Sequence, residues 1–269
     1  GFKGSLPEGA KIEERETPKG TFFFALVDTK GAETANVLPG IVIEAMGKLP
    51  WPKSMSWSIY NNTWVRPIRN VAVVFDGETL SAFTRTRSVD AFDFPSILES
   101  EKKVWLAGNQ TVGHRFLAPD AITVTDFADY KTKLRAAKVM LDPAERREKI
   151  EADAKALCEK EGLSLKDDPG LLDEVTGLVE WPVVLMGTID APFMELPDEV
   201  LSTSMRSHQK YFSTLDNSGK LANKFIVVAN TETKDGGKQV VAGNERVLRA
   251  RLSDAKFFWD QDRAETLAS

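Results

Sequence analysis

Apolar residues first bunch at positions 21–27, where Phe22, Phe23, Phe24 and Leu26 form a run of strand length. The preceding residues 1–20 are rich in Gly, Glu, Lys and Pro and read as a flexible lead-in. Turn chemistry at 28–31 closes the run. Thr34 can cap a helix to about residue 46, with Pro39 near its first turn, and Leu49-Pro50-Trp51-Pro52 stops it. Residues 71–75 are β-branched and apolar, and Asp76-Gly77 predicts a hairpin into 80–87. Asp126 can cap a helix over about 127–140. Asp142-Pro143-Ala144-Glu145 restarts one, supplying a cap, a proline at the first helical position and a glutamate at the third. On that second helix Ile150, Ala154, Leu157 and Cys158 share a face, nearly everything else is charged, and Gly162 ends it. The pattern predicts a helical insertion over about 126–161, a charged two-helix arm.

Asp168-Pro169 then begins a short helix ending near Gly177. Residues 178–186 read as a buried strand, and Pro182 within it demands a sheet edge or a bulge. Pro197 starts a helix to about 207. Residues 211–215 and 225–229 form a second hairpin around the turn residues Asp216-Asn217-Ser218-Gly219. Asn244 can cap a last helix running past Phe258. Helices and strands interleave, but the hairpins imply antiparallel pairing. The fold class is therefore α+β, a mixed and mostly antiparallel sheet core with flanking helices, expected as one domain over 21–265.

Composition narrows the functional classes. The 269 residues carry a net charge of −5, which argues against a non-specific nucleic-acid coat yet allows a local basic face, because attraction to phosphate is screened beyond about 8–10 Å. A single cysteine, Cys158, excludes an internal disulfide and a cysteine-rich metal cluster. Two histidines, His114 and His208, exclude a multi-histidine centre. No apolar run approaches the roughly 18–20 residues that span a bilayer, and no secretory pattern opens the chain, so a cytoplasmic protein without a membrane partner is expected. The chain begins at Gly1 and stops just after a strongly patterned helix, and it reads as a piece of something longer.

No Walker-type phosphate loop and no dinucleotide fingerprint is present. Lys53-Ser54-Met55-Ser56 departs in order from the class I synthetase signature, and no histidine motif precedes it. Gly243-Asn244-Glu245 reads as an N-cap, or as backbone N–H groups presented to an anion. In the last helix Leu248, Leu252, Ala255 and Trp259 form an apolar stripe, and Arg249, Lys256 and Arg263 recur every seven residues on another face, with Arg246 close by. That row can track a phosphate backbone, or be a solvated face laced by i,i+4 pairs. His114-Arg115 offers RNA contact, general-base chemistry beside a carboxylate, or a half-buried turn. His208-Gln209-Lys210-Tyr211-Phe212 sits where a helix hands over to a strand, a place that can line a cleft. Glu180 stands in an apolar run, either as an acid or as half of an ion pair with arginine. Trp51, Trp57 and Trp64 read as core.

Taken in order, several segments resemble the beta subunit of bacterial heterotetrameric glycyl-tRNA synthetase. They are Leu49-Pro50 with Pro52-Lys53-Ser54-Met55-Ser56-Trp57, Trp64-Val65-Arg66-Pro67-Ile68, and Gly113-His114-Arg115-Phe116. Leu178-Val179-Glu180-Trp181-Pro182-Val183, His208-Gln209-Lys210-Tyr211-Phe212, residues 225–230 and Gly243-Asn244-Glu245-Arg246-Val247 continue the series. The resemblance spans about residues 20–263. It departs at Ser56 and Val112, where the family usually carries arginine. It implies tRNA binding and scaffolding for ATP-dependent attachment of glycine to tRNA(Gly). The aminoacylation site, with its ATP and Mg²⁺, is implied on the alpha subunit, in a heterotetramer of two alpha and two beta subunits. No cofactor is expected in this chain. The resemblance also implies a fold similar to the tRNA-editing module of the phenylalanyl-tRNA synthetase beta subunit. With the cations clustered in the matched motifs, it points to tRNA contact by Arg66, His114, Arg115, Lys210, Arg246 and Arg249. The alternative is hydrolytic editing of mischarged tRNA by His114, Glu180 and His208.

Overall fold

A computed structural model of the chain describes residues 9–28, 30–57, 62–68, 71–80 and 107–264. Two compact units are formed, Gly1–Gly108 and Asn109–Ser269, so the stretch expected as one domain is divided at 108/109.

In the first unit, strand β1 (Lys11–Thr17) pairs antiparallel with β2 (Gly20–Leu26) around Gly20, whose φ of 113° suits glycine. Residues 11–17 are thus strand rather than lead-in. Their charged side chains sit opposite aromatics, Glu13 to Phe24, Glu14 to Phe23 and Arg15 to Phe22, and such cross-strand pairs stabilise a ladder that polar residues alone do not announce. Helix α1 (Thr34–Gly47) stops just ahead of the prolines, as expected, although its N-cap is Glu33 and not Thr34. Strands β3 (Met55–Trp57) and β4 (Asn62–Trp64) form a second hairpin. Trp51 meets Trp64 edge to face at 5.1 Å yet stays 40% exposed, so it is not core.

The run 71–75 breaks at Val73 into β5 (Val71–Ala72) and β6 (Val74–Phe75). β6 turns at Asp76-Gly77, both at positive φ, into β7 (Glu78–Thr79), and β5 pairs in parallel with β8 (Ala107–Gly108). Most of the expected partner strand, residues 81–87, lies outside the described residues.

The second unit opens with a small hairpin, β9 (Gln110–Val112) and β10 (Ala121–Thr123). Helix α2 (Phe127–Ala136) follows its cap, the Asp126 carboxylate accepting from the Asp129 N–H at 2.8 Å. Helix α3 (Pro143–Lys160) begins at Asp142, which accepts from the Ala144 N–H at 2.8 Å. Beyond β11 (Ser164–Leu165), helix α4 (Pro169–Leu178) is capped by Asp168, and β12 (Val183–Thr188) starts immediately after Pro182. A short 3₁₀ turn at Ala191–Glu195, helix α5 (Asp198–Thr203), strands β13 (Phe212–Leu215) and β14 (Leu221–Ala229), and helix α6 (Lys238–Ala264) complete it.

Four strands form one antiparallel sheet in the order β11–β13–β14–β12. β12 is an edge strand, which is how Pro182 just before it is tolerated. Side chains alternate through β14. Phe225 and Val227 join Leu201, Met205, Leu248 and Leu252 on one face, while Ile226 joins Ile150, Ala154, Cys158, Leu171 and Val175 on the other. The charged arm is therefore no arm. Ile150 and Cys158 are fully buried, so α3 is an outer layer whose single apolar stripe lies on the sheet and whose charges face water.

Asp168 also receives the Arg206 guanidinium in two hydrogen bonds, 2.5 and 3.2 Å, and that contact holds its carboxyl below the usual range. Because the folded value is depressed, the stability it adds is present above its ordinary value near 3.8 and is lost as the pH falls through the folded value. Asp168→Asn is expected to flatten that part of the urea-midpoint-versus-pH curve, and an unchanged acid limb would refute the assignment.

Candidate functional site

The second unit carries a cleft of about 510 Å³, within the range of ligand sites. It lies between the loop 114–116, residues 139–141 with Arg146 of α3, the C-terminal end of α4 and Glu180. One side chain organises it. Asn230, at the end of β14, accepts at Oδ1 from the backbone N–H groups of Glu180 (2.7 Å) and Trp181 (3.0 Å), and its backbone carbonyl accepts from His114 Nε2 at 2.5 Å. Arg146 braces another wall by donating to the carbonyls of Met140, Leu141 and Thr176.

His114 is 1% exposed, and its Nδ1 accepts from the N–H groups of Phe116 and Leu117, each at 3.2 Å. Both ring nitrogens are occupied in holding the loop. This corrects the two active readings of His114, since the ring has no surface for RNA and no free nitrogen for general-base work. Gly113 explains the loop's path, because a Cβ there would sit 2.5 Å from Ala137 Cβ and 2.7 Å from the Ala118 carbonyl.

Arg115 and Phe116 are the outward part of the same loop. The guanidinium carbon lies 5.5 Å from the ring centroid, Phe116 is 75% exposed, and Arg115 has no ion pair among the described residues. Glu180 is half-buried and makes no ion pair among the described residues, so the expected arginine partner is not found. His208 is exposed on a π-helical turn, Ser204–Gln209, and does not line the cleft. The cleft therefore contains His114 and Glu180 of the expected hydrolytic set, but not His208.

Of the remaining expected cations in the second unit, Lys210 and Arg249 are engaged in ion pairs. Lys210, at the left-handed φ of 60° that ends the turn, pairs with Glu174 at 2.8 Å. Arg249 forks onto Asp190 at 2.5 and 3.1 Å, which keeps that carboxyl below its ordinary range. Lys256 bridges Glu195 (3.1 Å) and Asp260 (3.0 Å), and Arg263 lies over the Trp259 ring at 5.7 Å. The seven-residue row thus ties α6 to the 190–195 turn and to itself. Arg246 is exposed with no ion pair among the described residues, and Arg66 stands in the first unit, 3.8 Å from the Met55 sulfur. Ion pairing commits two members of the row, Arg249 and Lys256, to carboxylates.

Gly243-Asn244-Glu245 is neither a cap nor an anion cradle. α6 starts six residues earlier, where Asp235 accepts from the Gln239 N–H at 2.8 Å, so those backbone groups lie inside the helix. Asn244 instead accepts from Tyr211 Oη at 2.5 Å, and Glu245 caps the end of β12 by accepting from the Thr188 N–H at 2.8 Å. Burial pushes the Tyr211 phenol up to about 12, which keeps it a donor. Asn230 was missed from sequence as an organising residue, and only its place at the end of an apolar run could have hinted at it.

The glycyl-tRNA synthetase beta subunit family model matches residues 3–269. The chain belongs to that family. The glycine–tRNA ligase beta subunit of Rhodospirillum centenum is 53% identical over 97% of this chain, and those of Dinoroseobacter shibae and Ruegeria sp. are 47% and 45% identical over 97% and 94% of it. The chain spans between 35% and 38% of the length of these relatives. Within the beta-subunit segment, the Gly113–Phe116, Glu180–Trp181 and 225–230 elements meet at Asn230. The elements around Tyr211 and Asn244 meet at a second joint.

Proposed function

We propose that this segment contributes tRNA binding and scaffolding to the ATP-dependent attachment of glycine to tRNA(Gly). In this reading an alpha subunit holds the aminoacylation site and uses ATP and Mg²⁺ there. The assembly has two alpha and two beta subunits in the cytoplasm, and the segment's fold is that of a tRNA-editing-type module without its hydrolysis. Among the described residues no three His, Cys, Asp or Glu side chains converge on a position for a metal ion. No helix among the described residues is long and apolar enough to cross a membrane.

The observation that supports RNA contact is the exposed Arg115–Phe116 pair at the cleft. A guanidinium free of carboxylates attracts phosphate, and an uncovered ring offers a stacking face for a base. Gel shift of tRNA(Gly) across a salt series tests this. Arg115→Ala is expected to weaken binding and to reduce the slope of log affinity against log salt by about one. Arg249→Ala is expected to change neither, because its side chain is committed to Asp190. Equal affinity and slope for wild type and Arg115→Ala would remove the reading.

A second reading, deacylation of mischarged tRNA, draws on His114 and Glu180 lining one cleft. With the His114 ring locked, Glu180 alone would have to orient the water. Mischarged tRNA incubated with the protein decides it, and release no faster than in buffer ends it.

A further inference from the structure

Among the described residues Glu180 is the one acidic side chain lining this cleft, between apolar walls of Phe116, Val139, Leu141 and Leu178. A carboxylate there opposes phosphate, so its chemistry is not that of a backbone contact. What it can do is accept. Its two oxygens match a ligand edge bearing adjacent N–H donors, and among unpaired bases guanine presents such a pair at N1 and N2. The fold asks nothing of this side chain, since Glu180 is held through its backbone, the N–H to Asn230 and the carbonyl accepting from Met140 N–H at 2.8 Å. Leu178, 61% exposed, and Phe116, 75% exposed, leave the rim apolar enough to cover a flat ring. Arg115 supplies the positive charge for the adjoining phosphate.

We infer that the cleft reads one unpaired guanine of an RNA, Phe116 stacking on the base, Arg115 meeting its phosphate and Glu180 accepting from its N1–H and N2–H. The inference rests on the proposal that RNA enters this cleft, and the two can fail separately. The test uses the 269-residue chain and fluorescence anisotropy with two labelled hexanucleotides, all-uridine RNA and the same RNA with one central guanosine.

Wild type is expected to bind the guanosine oligomer about tenfold tighter, the scale of one good bidentate base contact. Glu180→Gln keeps the size and the stacking but loses one acceptor and the charge, and it is expected to abolish the guanosine preference while uridine binding rises slightly, because a carboxylate no longer opposes phosphate. Phe116→Ala is expected to weaken both oligomers about tenfold, the scale of one base stacked on an aromatic. Equal affinities in wild type, or a guanosine preference that survives Glu180→Gln, overturns the guanine assignment and leaves RNA entry standing. Failure of Phe116→Ala and Arg115→Ala to weaken either oligomer overturns both. Thermal melts matching wild type confirm that each variant is folded.

Discussion

Replacing Gly187 by alanine is expected to lower stability by about 3 kcal/mol, the upper range for overpacking a filled core, and valine is expected to cost more. A Cβ on Gly187 would stand 2.3 Å from Phe225 Cζ and within 3 Å of two further ring carbons. The ring cannot retreat. Phe225 is fully buried, stacks on Tyr211 at 4.7 Å and 21°, and Tyr211 is anchored through its hydroxyl to Asn244. The residues opposite Phe225 on its neighbours are Gly187 on β12 and Ser213 on β13, so small side chains flank the large one on both sides. Phe225→Leu in the Gly187→Ala background is expected to recover part of the loss, because the clash and the ring are one interaction. Urea-midpoint shifts for the two singles and the double measure this, and strict additivity would dismiss the clash as the cause.

The second large effect belongs to Asn230. Asn230→Leu removes the acceptor for two backbone N–H groups at the mouth of β12, each costing about 1–3 kcal/mol if it is left without a partner. A total of about 2–6 kcal/mol is expected, with faster amide exchange at Glu180 and Trp181 ahead of global unfolding. Asn230→Asp restores an acceptor at the same reach and is expected to recover most of the stability. Were Asp as damaging as Leu, the joint would not depend on that oxygen. The same variants report on the cleft, since the wall carrying Glu180 and the loop carrying Arg115 both bond to this residue. Asn230→Leu should therefore weaken RNA binding more than its loss of global stability explains.

How far the sequence reaches is clearest at particular positions. The caps Asp126, Asp142 and Asp168 and the Asp76-Gly77 turn are local chemistry, settled within four residues, and each is found where the pattern puts it. The start of α6 was misplaced because Asn244 has the right residue type, while the actual cap, Asp235, follows Thr233 in a polar stretch without an apolar cue. The first strand was missed for a related reason. Its stability comes from aromatics on the opposite strand and not from alternation of its own.

Recognition of the family was carried by short motifs and needed no coordinates. What those motifs do physically was out of reach, because His114 and Asn230 are 116 residues apart and Tyr211 and Asn244 are 33 apart. The availability of each cation was out of reach too. On a helix wheel Arg249 and Lys256 form a clean row, yet Asp190 and Glu195 arrive from another element to occupy them.

The sequence by itself determined the membership, the α+β class, most helix starts and the need for an edge or a bulge at Pro182, because each depends on neighbours along the chain or on a run long enough to show its period. The tertiary structure alone decided that His114 is a strut, that α3 is a layer, and that Arg249 is ion-paired while Arg115 has no ion pair among the described residues. Those outcomes depend on which carboxylate, carbonyl or ring the fold carries in from far along the chain, and no local spacing encodes that arrival.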